Sequence, residues 1–517
     1  MNFSIPDGFV VRLDFVGDFP DSGGEDITTT DTIGQGKYIP SGNTTVFLPA
    51  KTGKIDILIS TNSTSLLITY QFINARSYTN IKQPTGTYIQ LNLAPATFYT
   101  FTSSKNDNVN VARSSNEDPD YFCSMNTFVY DGFDINSKYL SNMFWATYPI
   151  PPMKSATSSL TIINFYNSSC LDYVIFNDYS RIQPYGLYSL EMTQKNETYA
   201  RTISGTSATT FICKDCNENH LEYIEIQSKN SRIDFVPMTP TDNLPVLLSY
   251  NYSSQSPLEL PQKISSKIFT MVMTAASFTV QLTPVSQKYY IPYVGRKISV
   301  WSPTMWNPNA KPSFDYTFQS TDNLIFNTSI VSLNIAEPDS WLHLAIGSPD
   351  RKLAVDEDYT NSSSNINNIV GTGQFAKVAF VGNSTKSSSY VQIIVGDPTE
   401  IQKGKEFLQE VRSYPGAYIA VLYNSEKLGD YENGLRSLSD EGPSAYICII
   451  ASFIVAATSI PYYMFFWKQR KLEKYPKGQF ILNNIAFFNL FENVQVSFYV
   501  IGWLFFVIIG TDSIDLR

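Results

Sequence analysis

The sequence predicts an all-β fold of β-sandwich domains followed by a C-terminal transmembrane helix. Apolar and polar side chains alternate over many short segments up to about residue 440, and turn-rich stretches separate these segments. Such alternation is typical of strands that are buried on one face. Residues 446–467 then form 22 residues without a formal charge, and about 20 apolar residues are enough to cross a bilayer as a helix.

Length and charge narrow the class of protein further. The 517 residues are 43% hydrophobic and 16% charged, which is enough material for about three domains with cores of their own. There are 37 basic and 46 acidic residues, so the chain has no positive field for a phosphate backbone. We therefore exclude nucleic acid as a partner.

The strand rows are clearest near the start of the chain. One apolar row consists of Phe9, Val11, Leu13 and Phe15, and a second consists of Leu66, Ile68, Tyr70 and Phe72. The same pattern returns within 278–282, 314–318 and 331–335. Each row predicts one buried face of a sheet.

Changes in composition predict the domain boundaries. Residues 103–120 are polar and unpatterned, and residues 241–262 combine prolines with serines and tyrosines, so both stretches are interpreted as linkers. They divide the chain into a first β-sandwich at 1–102, a second β domain at 121–240 and a third β-rich domain at 263–440. The glycine pair in VGTGQFAK, Gly371 and Gly373, is interpreted as a β-turn.

The hydrophobic segment 446–467 has a charge asymmetry that predicts its orientation. Lysines and an arginine follow it, whereas mainly acidic residues precede it, and positive flanks stay on the cytoplasmic side. We expect a plasma-membrane protein with extracellular N-terminal domains. A second hydrophobic segment, 480–510, is convincingly lipid-like only over 494–510, so a second crossing and an interfacial segment both remain open.

Four cysteines precede the membrane segment, namely Cys123, Cys170, Cys213 and Cys216. An even number on the outer side predicts two disulfides, with three connectivities open. The spacing of Cys213 and Cys216 would also suit half of a zinc site, but no second pair with matching spacing follows. The fifth cysteine, Cys448, lies within the membrane segment.

Nine sequons on the predicted outer side are candidates for N-glycosylation. They begin at Asn2, Asn43, Asn62, Asn167, Asn196, Asn251, Asn327, Asn361 and Asn383. In a chain this rich in serine and threonine the number is close to chance, so it permits glycosylation without demonstrating secretion.

Two blocks of sequence resemble the CUB-like domain of a large nematode family of secreted or membrane-attached proteins. The first contains IPDGFVVRLDF, TTDTIGQGKYI and TTVFLPAKTGKIDILISTNSTSLLITYQF, and the second contains MNTFVYDGFDINSKYLSNMF and SSLTIINFYNSSCLDYVIFNDYS. The resemblance implies tandem CUB-like β-sandwiches, an extracellular non-enzymatic role, and a link to innate immune and stress defence. Family members carry a signal peptide and a cysteine-bearing segment before the first block, so we expect an N-terminally truncated first domain.

The resemblance also implies a candidate calcium site, because some CUB domains hold this ion with acidic loop residues. Asp131 and Asp134 in YDGFDINS are the candidates, with Asn136 as a neutral oxygen donor. The alternative is a hairpin, since Asp131-Gly132 is also an ordinary turn signal. No other cofactor is expected.

Catalytic patterns are weak. The chain has only two histidines, His220 and His343, which we place in different domains, so a histidine-based triad is poorly supported. The acidic pairs Asp118 with Asp120 and Glu222 with Glu225 are interpreted as solvated faces rather than glycosidase carboxylates. Three aromatic residues near proline-rich loops are candidates for sugar stacking or for core packing. They are Trp301, Trp306 and Tyr290.

The sequence therefore predicts a membrane-anchored extracellular protein that is not an enzyme and that binds glycans or proteins at an epithelial surface in defence. Two alternatives remain open: a carbohydrate-active enzyme built on β modules, and a structural surface glycoprotein.

Overall fold

The computed structural model describes residues 1–398 with the exception of 19–25, 50, 59–64, 116–120, 147–152, 167–169, 196–197, 241–244, 254–256 and 351–352. Met1–Pro398 forms one compact unit. Its described residues contain 28 strands and only short helices, which confirms the all-β prediction for this part of the chain.

The first seven strands form a two-sheet sandwich. They are β1 (Asn2–Ser4), β2 (Phe9–Asp18), β3 (Asp26–Thr30), β4 (Gly36–Tyr38), β5 (Gly42–Pro49), β6 (Thr52–Leu58) and β7 (Ser65–Asn74). One sheet has the order β1-β6-β3-β4 and the other the order β5-β2-β7. The predicted row on β2 faces the core between them, where Val11, Leu13 and Phe15 are buried.

The middle of the chain contributes fifteen strands and three short helices. These are β8 (Thr79–Pro84), β9 (Tyr88–Gln90), β10 (Thr97–Thr102), β11 (Val109–Ser115), α1 (Tyr121–Met125), β12 (Thr127–Asp131), β13 (Lys138–Asn142), α2 (Met143–Ala146), β14 (Ser159–Asn164), β15 (Tyr173–Asp178), α3 (Tyr179–Ile182), β16 (Leu187–Thr193), β17 (Tyr199–Cys213), β18 (Asn219–Ile226), β19 (Arg232–Pro237), β20 (Leu248–Asn251), β21 (Gln262–Ile264) and β22 (Ile268–Thr283). They form a five-stranded sheet, β13-β12-β14-β10-β8, and a ten-stranded sheet whose main path is β20-β19-β22-β17-β16-β11-β15-β9. Two single-turn 3-10 helices, Ala75–Ser77 and Pro257–Glu259, lie between strands of this region and its neighbours.

The sheets cross the predicted domain boundaries. Strands β8 and β10, from the predicted first domain, pair within the sheet that contains β12 and β14. Strand β22, from the predicted third domain, pairs with β17 and β19. The first sandwich therefore ends near residue 76, and the middle module extends to about residue 283.

Both predicted linkers contain strands. In 103–120, strand β11 lies inside the ten-stranded sheet, with Val109 and Val111 in a buried core. Its polar residue Asn110 is also buried; its side-chain N–H donates to the carbonyl of Met153 at 2.7 Å, whereas its Oδ1 has no hydrogen-bond partner among the described residues. A strand that buries polar as well as apolar residues lacks the alternation on which the prediction depended. In 241–262, strand β20 pairs with β19.

The last described strands form a six-stranded sheet. After a 3-10 turn at Gln287–Tyr290 come β23 (Lys297–Trp301), α4 (Pro303–Trp306), β24 (Phe314–Asn334), β25 (Trp341–Gly347), β26 (Val355–Tyr359), β27 (Ser363–Val381) and β28 (Ser388–Gly396). The order is β23-β28-β24-β27-β25-β26. The long strands β24 and β27 change register along their pairing, and one buried core collects side chains from all six strands.

The predicted β-turn at Gly371 and Gly373 is wrong, because both glycines lie within β27. A Cβ on Gly373 would come 2.1 Å from the carbonyl oxygen of Gly347. The glycines therefore permit a close approach of β27 to the end of β25.

The first sandwich packs on the five-stranded sheet. Val10 and Phe47 on the outer face of β2 and β5 join Phe128 and Tyr139 in one buried cluster. The β5-β2-β7 sheet therefore packs on the five-stranded sheet.

Among the described residues, no helix is long and apolar enough to cross a membrane. The predicted transmembrane helix 446–467, the segment 480–510, Cys448 and residues 399–440 of the predicted third domain all lie outside the described residues.

Candidate functional site

The four cysteines form two disulfides, as predicted, and the structure selects one of the three connectivities. Cys123 pairs with Cys170, and Cys213 pairs with Cys216. The first bond joins α1 to the loop before β15 within a buried core. The second closes a short turn after β17. We interpret both disulfides as structural.

The predicted calcium residues lie at one hairpin, β12–β13. The Asp131 carboxylate accepts hydrogen bonds from the Ala156 backbone N–H at 2.8 Å and from the Thr157 hydroxyl at 2.7 Å. The Asp134 carboxylate accepts from the backbone N–H groups of Asn136 at 2.9 Å and Ser137 at 3.0 Å. Each carboxylate thus holds a loop, and a calcium ion here stays a prediction.

Most described sequons present an exposed asparagine. These are Asn2, Asn43, Asn251, Asn361 and Asn383. Asn327 differs, because it is half-buried in the middle of β24 and its Oδ1 is buried without a hydrogen-bond partner in the described residues. We therefore expect no glycan at Asn327. Asn62, Asn167 and Asn196 lie outside the described residues.

Two of the three aromatic candidates for sugar stacking lie in the core. Trp306 is fully buried, and Trp301 is buried and stacks on Tyr390 with ring centroids 3.5 Å apart. Tyr290 is half-buried, and its hydroxyl accepts a hydrogen bond from Lys263 at 3.2 Å. For the two tryptophans, core packing was the correct alternative.

The buried Lys263 side chain of the middle module pairs with the partly exposed Glu218 and contacts Tyr316 of the six-stranded sheet. The Lys263 ammonium lies 2.7 Å from the Glu218 carboxylate and 4.6 Å from the Tyr316 ring centroid. Burial lowers the pKa of Lys263, but Tyr316 and Glu218 outweigh it and the net shift is upward. Nearby, burial lowers the pKa of His220 to about 4, so this imidazole is neutral at physiological pH. The contact between Lys263 and the Tyr316 ring crosses the junction of the two modules.

An open polar cleft of about 420 Å³ lies beside this junction. It is lined by Thr198, Glu222, Tyr223, Gln281, Thr283, Val285 and Lys288. It is an open surface depression with a mostly polar lining, unlike the enclosed apolar pockets that are usual for small molecules. We refer to these seven residues as the polar cleft.

A β-bulge on strand β18 contributes Glu222 and Tyr223 to the polar cleft. Leu221 pairs with Leu282 and Tyr223 pairs with Gln281, so Glu222 is the extra residue. A bulge reverses the alternation of a strand. Leu221 and Ile224 therefore both face the core, whereas Tyr223 is 43% exposed.

The charged residues of the polar cleft come from opposite sides. The Glu222 carboxylate, on a side chain only 14% exposed, lies 3.9 Å from the ammonium of Lys288, which is 80% exposed. Lys288 lies on the 3-10 turn Gln287–Tyr290. Buried Arg296 fixes this turn by donating to the carbonyl of Lys288 at 3.0 Å and to that of Ile291.

A hydrogen bond also holds the Tyr223 side chain in place. The Tyr223 hydroxyl donates to the Glu225 carboxylate at 2.8 Å, and this hydrogen bond raises the pKa of Tyr223. The Thr283 hydroxyl donates to the carbonyl of Val285 at 3.1 Å. A tyrosine, a carboxylate, an ammonium and an amide thus line one open surface.

The sequence predicts Glu222 and Glu225 only as a solvated pair, and it does not predict a site at Tyr223 or Lys288. A signal was present: in LEYIEI the apolar residues fall at 221, 224 and 226, and this break in alternation marks a bulge. The partner Lys288 is 66 positions further along the chain, and no local pattern connects it to Glu222.

Comparison with known proteins bears on the first sandwich. Residues 1–76 match the family model of the CUB-like domain. The match covers β1–β7 and ends where the first sandwich ends. No curated protein matches the sequence.

Three solved structures show some similarity to the chain. Tripeptidyl peptidase 2 is 8% identical, with 62% of this chain and 32% of that chain covered and a TM-score of 0.17. The structure of Sulfolobus turreted icosahedral virus is 9% identical to this chain and has a TM-score of 0.12. The similarity covers 76% of this chain and 80% of that chain. The VP2 subviral particle of infectious bursal disease virus is 9% identical to this chain and has a TM-score of 0.12. The similarity covers 76% of this chain and 73% of that chain. The chain spans about a third of the length of tripeptidyl peptidase 2. At these TM-scores none of the three informs the function.

Proposed function

We propose that this protein is a membrane-anchored, extracellular CUB-like protein that binds glycans in the polar cleft and acts in innate or stress defence at an epithelial surface. The observation that carries the binding role is the convergence of Tyr223, Glu222 and Lys288 at a β-bulge. The match of residues 1–76 to the CUB-like domain supports an extracellular setting. The defence role follows from the family resemblance.

A hydroxyl-rich ligand fits the polar cleft better than an apolar one. Carboxylate and amide oxygens accept hydrogen bonds from sugar hydroxyls, while the Lys288 ammonium and the Gln281 amide donate to them. The Tyr223 ring offers an apolar face for the C–H groups of a pyranose. The cleft is open rather than enclosed, which suits one end of a longer glycan.

Membrane anchoring rests on residues 446–467 and on the basic residues that follow them. The test is surface biotinylation with endoglycosidase digestion of the full chain, expressed once as given and once behind a signal peptide. Surface labelling and a downward gel shift in at least one form support an outer location. If neither form is labelled or shifted, the topology is wrong.

Glycan binding is tested separately, by screening cells that display the full chain against a glycan panel. Glu222→Gln and Lys288→Met should each weaken binding, because each removes one charge from the polar cleft. Lys386→Met, at an exposed loop of the six-stranded sheet, is the matched control and should bind normally. Saturable binding without turnover also separates this role from a carbohydrate-active enzyme, whereas no saturable binding would indicate a structural surface glycoprotein.

A further inference from the structure

Strand β7 is a long edge strand without a charged residue. Its sequence, SLLITYQFIN, covers Ser65–Asn74, and in the described part of the chain it pairs only with β2. An edge of this kind presents free backbone N–H and C=O groups on one side. It also has strong β-forming residues and no proline, which favours the addition of another strand.

Residues that face the core leave aromatic surface uncovered at this edge. Tyr70 pairs with Leu13 and Phe72 pairs with Val11, and opposite residues of an antiparallel pair project from the same face. Leu13 and Val11 are fully buried in the sandwich core, yet Tyr70 is 54% exposed and Phe72 40% exposed. The core therefore continues to an open side of the sandwich.

The opposite side of the same sandwich is closed. There, the Lys37 ammonium on β4 donates to the carbonyl of Phe47 on β5 at 2.8 Å and to Asn126 Oδ1 at 3.2 Å. Tyr139 of the middle module donates to the carboxylate of Asp31 at 2.8 Å. The middle module thus contacts the β4 and β5 side of the sandwich, although Tyr38 of β4 stays exposed. At the other side β1 and β7 meet through Phe3 and Tyr70, whose ring centroids are 5.5 Å apart.

Another edge of the protein is protected by charge. Strand β26 ends the six-stranded sheet and contains Asp356, Glu357 and Asp358. Two copies of β26 would bring carboxylates against each other. Strand β7 has no such protection, since none of its ten residues can repel an identical strand.

We propose that β7 is a dimer interface, and that its occupant is the β7 strand of a second copy of this chain. Antiparallel pairing about a two-fold axis is self-complementary for this sequence. With Tyr70 opposite Tyr70 of the second copy, Ile68 lies opposite Phe72 of the second copy. The two open sides then face each other, and the inward rows join into one continuous apolar core over a six-stranded sheet. A two-fold pairing of an uncharged strand places no like charges together.

Cysteine cross-linking tests the pairing in membranes that contain the full chain. In a Cys448→Ser background, Tyr70→Cys places two thiols at the two-fold axis, and Thr69→Cys covers the register shifted by one residue on each strand. We expect a disulfide-linked dimer on non-reducing gels for at least one of the two. Tyr38→Cys, at the β4 edge with 45% exposure, should remain monomeric. Cross-linking to a protein of a different size, or to none, would overturn the proposal.

Charge provides a second test that does not require a new bond. Tyr70→Lys should abolish the dimer in co-immunoprecipitation of two differently tagged copies, because two ammonium groups would meet at the axis. Co-expression of a Tyr70→Lys copy with a Tyr70→Glu copy should restore association. If both single variants still self-associate, or if the mixed pair does not form while both chains reach the surface, β7 is not the interface.

Discussion

The ammonium nitrogen of Lys37 lies 3.2 Å from Oδ1 of Asn126, and this contact joins the CUB-like sandwich to the middle module. The same Asn126 oxygen accepts from the backbone N–H of Phe47 at 3.0 Å. Lys37 is 2% exposed and lies over the Phe128 ring at 5.0 Å from its centroid. A lysine is therefore enclosed at the junction of the two modules.

Lys37 should make the stability of this junction depend on pH. Burial lowers the pKa of Lys37 to about 7, although Asp31 opposes the shift. Between about pH 7 and 10.5 the unfolded chain binds the extra proton, so the free energy of unfolding should rise with pH by up to about 1.4 kcal/mol per pH unit. Below about pH 7 this contribution is constant.

The check is the urea-unfolding midpoint of the full chain at pH 7, 8 and 9. Lys37→Met should remove the rise with pH, whereas Lys54→Met, an exposed lysine on β6, should keep it. An equal slope in wild type and Lys37→Met would contradict the expected pKa shift.

The two disulfides should contribute unequally to stability. Cys123 and Cys170 are 47 positions apart, and Cys213 and Cys216 only 3. By loop-closure entropy, replacing the first pair with serine should cost about 4 kcal/mol and replacing the second about 2 kcal/mol. Unfolding curves of the two double variants measure the difference, and a larger loss from the short loop would refute this order.

Gly373→Ala should damage the six-stranded sheet. The new methyl group would lie 2.1 Å from the carbonyl oxygen of Gly347, which cannot move without shifting β25. We expect a loss on the order of 3 kcal/mol or more, or failure to reach the cell surface. Gly396→Ala is the control, because its nearest neighbour would be 3.6 Å away. Similar unfolding midpoints for the two variants would show that β27 is not close to β25.

Arg296→Lys should weaken both the fold and the polar cleft. Buried Arg296 donates to the carbonyls of Lys288, Ile291 and Pro261, and a lysine cannot reach all three with one planar group. Loss of these hydrogen bonds should cost about 1–3 kcal/mol and release the turn that positions Lys288. Unfolding and glycan binding are both measured, with exposed Arg232→Lys as control. If Arg296→Lys has the same unfolding midpoint and the same glycan affinity as the wild type, Arg296 does not hold the cleft in place.

The sequence predicted the local pattern better than the assembly of the fold. The row of Val11, Leu13 and Phe15 is buried as expected, because alternation reports directly on which face is covered. Strand β11 was missed since its buried Asn110 and Ser114 are polar; the Asn110 N–H donates to the carbonyl of Met153, and the Ser114 hydroxyl accepts from the backbone N–H of Tyr173. Those partners are distant in sequence, so composition alone suggested a linker.

In the candidate site, too, the sequence predicted a local feature but not the contacts between distant segments. Glu222 was named from the sequence, but its role depends on the bulge and on Lys288, which a separate turn brings to within 3.9 Å. The row on β7 was predicted as a buried face, and this is wrong for Tyr70 and Phe72, which are 54% and 40% exposed. Alternation predicts which residues share a face, but not whether another part of the fold covers that face.

The most direct test of the central claim is the dissociation constant of the best glycan from the panel for three forms of the surface-displayed chain. These are the wild type, Tyr223→Ala in the polar cleft and Tyr38→Ala, whose tyrosine is similarly exposed on β4. Loss of a stacking ring should weaken binding by about 1.4 kcal/mol, or tenfold, in Tyr223→Ala alone. Equal affinity in all three forms would contradict glycan binding in the polar cleft.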